Sequence, residues 1–156
     1  MKGTTMRTVK TLLFVMFVCV FFPEAAVCGD QPDRSVIESI GVTRGICVVL
    51  GDGAAERAVE LARGSGLLIY VQLPDSKAVQ AACEAADAAG LYGTHIFVAK
   101  GPANRLNLAD NVANAVVAGT AVDVPEAELL RVLRPQGKAL LGGKALVKPV
   151  PAGLDD

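Results

Sequence analysis

Between Cys47 and Glu56 an apolar run, Cys47-Val48-Val49-Leu50, ends in the turn Gly51-Asp52-Gly53 and passes through Ala54-Ala55 into a helical pattern. A short continuous apolar run closed by a turn reads as a strand buried on both faces. A strand that feeds a helix through a glycine turn is the unit of a doubly wound α/β domain. There the turn brings backbone close to a nucleotide-like group.

The same alternation continues along the chain. Asp33 to Ile40 reads as a leading helix with Asp33 as its cap and Gly41 as its stop. Ile46 to Leu50 is the first strand, and Ala54 to Arg63 a helix with Ala58, Leu61 and Ala62 inward. Leu67 to Leu73 is the second strand. Pro74-Asp75-Ser76 turns the chain and caps a helix carrying Val79, Ala82, Cys83 and Ala86, which stops at Gly90. Thr94 to Ala99 and Ala113 to Ala118 are the third and fourth strands, with an irregular stretch from Leu106 to Asn111 between them. A helix follows from Asp123 or Val124, with Pro125 in its first turn and Leu129, Leu130 and Leu133 inward. Pro135-Gln136-Gly137 is a turn, and Lys138 to Leu141 a fifth strand.

The order α-β-α-β-α-β-β-α-β predicts a Rossmann-like, doubly wound, mostly parallel sheet with right-handed crossovers. Residues 144–156, with Lys144, Lys148, Pro149 and Pro151, read as a linker-like tail. The domain is therefore expected over residues 33–143, truncated after the fifth strand, as at a boundary within a larger protein. A hydrophobic content of 52% with only 4% aromatic residues suits a parallel sheet under helices better than a β-sandwich. Net charge of −1 leaves no basic footprint for nucleic acid.

The first 28 residues are a separate object. Lys2, Arg7 and Lys10 precede the apolar run Leu12 to Phe22, which Pro23 and Glu24 break before the small residues Ala25 and Ala26. This reads as a secretory signal peptide, too short for a span of about 20 apolar residues. The mature chain is expected to be exported, periplasmic or extracellular, without a stable membrane span. Lipidation at Cys28 is not expected, because Ala25 and Val27 stand where a lipobox has Leu and a small residue. Cys47 and Cys83 remain after cleavage. Both sit in apolar runs as buried thiols, and sequence alone does not set whether they pair. No spacing suits a metal, and the one His is His95.

A dinucleotide fingerprint would need a third glycine at position 56, which is Glu56, and Asp52 would place a like charge beside a diphosphate. No Gly-Lys-Ser/Thr follows, which excludes a P-loop. S-adenosylmethionine has no phosphate and tolerates an acidic turn. Val48 to Ala55 resembles the glycine-rich motif of class I S-adenosylmethionine-dependent methyltransferases. Ile69 to Leu73 resembles their second strand. Gly90 to Gly93 and Phe97 to Ala103 are similar to the third strand and adenine loop. Leu106 to Val117 is similar to the stretch before and within the fourth strand. Glu128 to Lys138 is similar to the segment written E-RVLRPGG. The resemblance runs from about Ser35 to Leu141. It implies the methyltransferase fold and S-adenosylmethionine held by Gly51, Asp52, Gly53, Gln72, Leu73, Gly101, Pro102 and Ala103.

Departures from that pattern bear on function. Val49 stands where the family has an acidic residue, Ala55 where it has a third glycine, and Gln72 where an acidic residue holds the ribose. Pro102 replaces the adenine-loop Asp and lacks an N–H. Charge-assisted bonds are roughly twice as strong as neutral ones, so the cofactor motif is degenerate. Two readings of the turn stand: retained cofactor contact, or a tight strand-to-helix connection with Asp52 capping the helix. Asp110 and Asn111 read as a solvated turn, and no catalytic set is evident. The chain is thus a methyltransferase-like domain of an exported protein, or a non-catalytic structural or interaction module of a secreted one. A NAD-binding Rossmann domain is a third reading, against Glu56 and Asp52. With its export signal, the chain also looks like the front of secreted bacterial proteins in which such a domain precedes a quinoprotein-type β-propeller.

Overall fold

The computed structural model describes residues 34–53, 55–151 and 153 of the chain. The signal peptide, the Asp33 cap, Ala54 and the final residues 154–156 lie outside the described residues. The elements are α1 (Arg34–Ile40), β1 (Arg44–Leu50), α2 (Glu56–Gly64), β2 (Gly66–Leu73), α3 (Ser76–Ala88), β3 (Ile96–Lys100), β4 (Ala113–Ala118), α4 (Glu126–Val132), β5 (Leu133–Leu141) and β6 (Lys144–Val147). They form one six-stranded sheet in the order β3-β2-β1-β4-β5-β6. All neighbours are parallel except β5 and β6. This is the doubly wound α/β architecture that the alternating pattern predicts. Its strand order reverses between β1 and β4, the switch point where such sheets bind ligands.

Each strand is sided, and the two sides build two cores. Cys47, Val49, Ile69, Val71, Ala115 and Val117 pack against Ile40 of α1, Ala58 and Leu61 of α2, and Ala82 and Ala86 of α3. On the opposite face Val48, Leu50, Val116 and Ala139 pack against Leu129 and Val132 of α4 and against Leu106 from the loop after β3. Alternate residues of a strand point to opposite faces, so a continuous apolar run is what two covered faces require. The second face is covered less fully. Leu68 and Phe97, on β2 and β3, are each 42% exposed there.

The helices stop and start on local chemistry. Asp75 Oδ2 accepts from the Ala78 amide at 3.0 Å and caps α3. Pro125 stands at the N-cap of α4, where a missing N–H costs nothing. α2 is unusual: its N-cap is Ala55 in the left-handed region (φ 55°), with no side-chain bond of its own.

Three expectations need correction. The tail from residue 144 is not a linker throughout, and the sheet does not end at its fifth strand. Lys144–Val147 pairs antiparallel with Lys138–Leu141, from Leu141 against Lys144 to Lys138 against Val147. A two-residue Gly142-Gly143 connection closes that hairpin, the kind of turn whose twist matches its strands. Likewise Pro135-Gln136-Gly137 does not end a helix before a new strand. It lies inside β5 as a bulge, with pairing that jumps from Ala113–Leu133 to Ala115–Lys138 and Gln136 at φ 65°. Lys148 holds the bulge: the Gln136 amide donates to its carbonyl at 3.0 Å, and its amide donates to the Gly137 carbonyl at 2.9 Å. Among the described residues no helix is long and apolar enough to cross a membrane.

Candidate functional site

The carboxyl ends of β1, β2 and β4 meet at the switch point, and the expected site residues lie there. Gly51 follows β1, Gln72 and Leu73 end β2, and the loop Gly101-Pro102-Ala103 follows β3. The structure therefore brings the expected residues to one edge of the sheet. Among them, the polar side chains of Gln72 and Asp52 are hydrogen-bonded to backbone groups of the chain itself.

Gln72 is the clearest case. It is buried, 3% exposed. Its Nε2 donates to the carbonyl oxygens of Pro102 (2.6 Å) and Arg105 (2.8 Å). Its Oε1 accepts from the Asn107 amide at 2.8 Å. A primary amide has two donor hydrogens and a carbonyl oxygen. Here both hydrogens and one lone pair of the oxygen are occupied by the loop after β3, and the Tyr70 hydroxyl donates to the oxygen at 3.5 Å.

Gly101 makes this closure sterically feasible. A Cβ there would lie 2.7 Å from Asn107 Nδ2 and 2.8 Å from Gln72 Cδ and Nε2. The Gly101 amide also donates to the Leu73 carbonyl at 3.0 Å, and Asn107 Nδ2 donates to the Lys100 carbonyl at 3.1 Å. Pro102 contributes only its carbonyl, and that carbonyl is Gln72's partner. Ala103 is half-exposed in the same loop.

The turn after β1 is engaged as well. Gly51 has φ +77°, and a Cβ on it would overlap the Val122 Cγ2 methyl. Val122, from the segment after β4, therefore sits against the turn. Asp52 does not point to a ligand: its Oδ2 accepts from the Ala58 amide at 2.9 Å, the cap that Ala55 fails to give α2. That bond occupies an amide at the helix start, the type of group a diphosphate would use. Gly53 has open space around it.

Val122, Arg105 and Asn107 escaped the sequence reading because their roles depend on tertiary approach. Another group was visible only as a pattern. Glu128 and Arg131 of α4 form an ion pair (2.6 Å), and Arg131 Nη1 also meets Asp110 at 2.6 Å. Asp110 thus sits in an exposed turn, as expected, and also pairs with Arg131. Arg131 donates to the Leu106 and Leu108 carbonyls, and Glu128 accepts from the Leu106 amide, so this cluster holds the loop after β3 from its far end. Hydrogen bonding from Arg131, aided by the Leu106 amide, holds the Glu128 carboxyl down at about 2. Asn111 accepts from Lys148 Nζ at 2.6 Å.

Cys47 is a buried free thiol whose pKa burial pushes up to about 12, and Cys83 is a second free thiol. His95 is exposed in the turn before β3. Among the described residues no group of His, Cys, Asp or Glu is placed to hold a metal.

No protein-family model matches the sequence, and no curated protein matches it. Solved structures do. An S-adenosylmethionine-dependent methyltransferase from Methanococcus maripaludis superposes with TM-score 0.66 at 23% identity, over 71% of this chain and 54% of its own. A sarcosine dimethylglycine methyltransferase from Galdieria sulphuraria gives 0.62 at 24% identity, over 68% and 43%. The cyclase SpnF gives 0.62 at 25% identity, over 68% and 41%. The chain spans about half the length of these structures. The fold is that of the class I S-adenosylmethionine-dependent methyltransferases. A cyclase on the same fold shows that the fold does not fix the reaction.

Proposed function

We propose that this chain is a methyltransferase-fold domain whose nucleotide crevice its own loops have closed, and that it serves an exported protein as a non-catalytic structural or interaction module. The observation that carries this reading is the Gln72 amide, with both hydrogens and the oxygen bonded to the loop after β3. A ribose hydroxyl would have to displace one of those bonds or the Tyr70 hydroxyl that lies 3.5 Å from Oε1, and no charge is available to repay the exchange. Val122 packs against Gly51 on one side of the turn after β1, while the space around Gly53 stays open. Gln72 as held therefore does not fit the ribose of S-adenosylmethionine, and no methyl-transfer step is assigned to the residues of this crevice.

The basic and apolar N-terminal segment supports export, and S-adenosylmethionine is made inside cells. A downstream propeller domain is compatible with this role and rests on resemblance alone. Calorimetric titration of the protein with S-adenosylmethionine and S-adenosylhomocysteine tests the reading. The expected result is no saturable heat at millimolar ligand. Micromolar affinity for either would overturn it and support a methyltransferase.

A further inference from the structure

We propose that the cavity between α1, the first turn of α2 and the ends of β4 and β5 binds a small carboxylate with a short aliphatic body. The cavity measures about 420 Å³. It lies on the α1–α2 side of the switch point, on the opposite face of the sheet from Gln72, and uses none of the groups that close the crevice. Its fate and that of the preceding proposal are therefore separable.

The ligand class follows from the lining. Arg57, in the first turn of α2, lines the cavity and is half-buried. Among the described residues its guanidinium makes no ion pair or hydrogen bond. The half-buried Arg131, by contrast, has Glu128 and Asp110. A partly desolvated guanidinium without a counter-charge favours an anion in bidentate contact. Thr120 and Ser39 line the same cavity, and Val36, Val117 and Leu140 form apolar walls. One cation balances one negative charge. A phosphate dianion would leave charge uncompensated against those walls, whereas a carboxylate would not. Apolar walls beside a charged anchor fit a short aliphatic tail.

The test is an NMR titration of the protein with sodium butyrate, butyramide and inorganic phosphate at constant ionic strength. Butyrate is expected to give saturable shifts at the Gly119 and Thr120 amides, with butyramide and phosphate at least ten-fold weaker. Arg57→Met is expected to weaken butyrate at least ten-fold while the remaining spectrum is unchanged. Arg57→Gln serves in its place if the Met variant does not fold. Absence of saturation at roughly 50 mM butyrate, beyond the millimolar range expected of so small a ligand, overturns the site. An equal response in the Arg57 variants, or tighter binding of phosphate, overturns the assignment to a guanidinium-held carboxylate.

Discussion

Gln72 Nε2 donates to the carbonyl oxygen of Pro102 at 2.6 Å, tying the end of β2 to the loop that follows β3. The bond is one of three that this side chain makes to that loop, the others reaching Arg105 and Asn107. Gln72→Leu keeps the bulk and removes all three. The half-buried loop groups left behind recover part of their bonding from water, so the expected loss is about 1–3 kcal/mol in urea denaturation. Gln72→Asp is also expected to destabilise. It sets a shorter, charged acceptor against two carbonyl oxygens, and so does not restore a ribose anchor. A loss below roughly 0.5 kcal/mol for both variants would mean that the loop does not depend on the amide.

Val122 and Gly51 form the second closure, and they can be separated by a double-mutant cycle. Gly51→Ala meets two penalties: a φ of +77° and overlap with the Val122 methyl. The expected loss is about 2–4 kcal/mol, of which the left-handed backbone accounts for about 1–2. Val122→Ala in the Gly51→Ala background should recover the overlap part only. Strict additivity of the two substitutions would show that Val122 does not press on the turn.

The fold was largely legible because its signal is periodic. Apolar runs such as Ile46–Leu50 and Ala113–Ala118 can be buried strands whatever surrounds them. What escaped was set by long-range partners. Lys144–Val147 is too short and too mixed to read as a strand, and becomes one only because Gly142-Gly143 folds it onto β5. Pro135-Gln136-Gly137 has turn chemistry, yet the Lys148 backbone holds it within a strand. In the site, sequence placed Gln72 and Pro102 correctly at one sheet edge but could not show that they bond to each other. The same is true of Asp52. Its capping role was one of two open readings, and the bond to the Ala58 amide supports it.

Cys47 offers a probe of core opening. It is fully buried in β1, and burial raises its pKa to about 12, so both access and thiolate formation are suppressed in the folded chain. In a Cys83→Ser background, iodoacetamide labelling of Cys47 at pH 8 is expected only through unfolding, its rate rising with urea in step with the unfolded population. Fast labelling of native protein, independent of urea, would contradict a closed β1 core.

The Glu128–Arg131 pair predicts how stability depends on pH. Arg131 and the Leu106 amide lower the Glu128 pKa from 4.5 to about 2 in the folded chain. A depressed carboxyl stabilises the fold above its unfolded pKa, and that contribution fades as pH falls from about 4.5 towards 2. Other carboxylates titrate over the same range, so the informative quantity is the difference between wild type and Glu128→Gln. At pH 7 that difference is expected to be about 1 kcal/mol in favour of wild type, moderated by solvent around the pair. It should narrow once the pH drops below 4.5 and be mostly lost near 2, where the folded carboxyl is about half protonated. The effect should also soften the loop after β3, because Glu128 and Arg131 hold its Leu106 and Leu108 backbone. Urea midpoints from pH 7 to 2 check this, with hydrogen exchange at the Leu106 and Asn107 amides. A constant difference across that range would mean that the carboxylate charge contributes nothing to holding the loop.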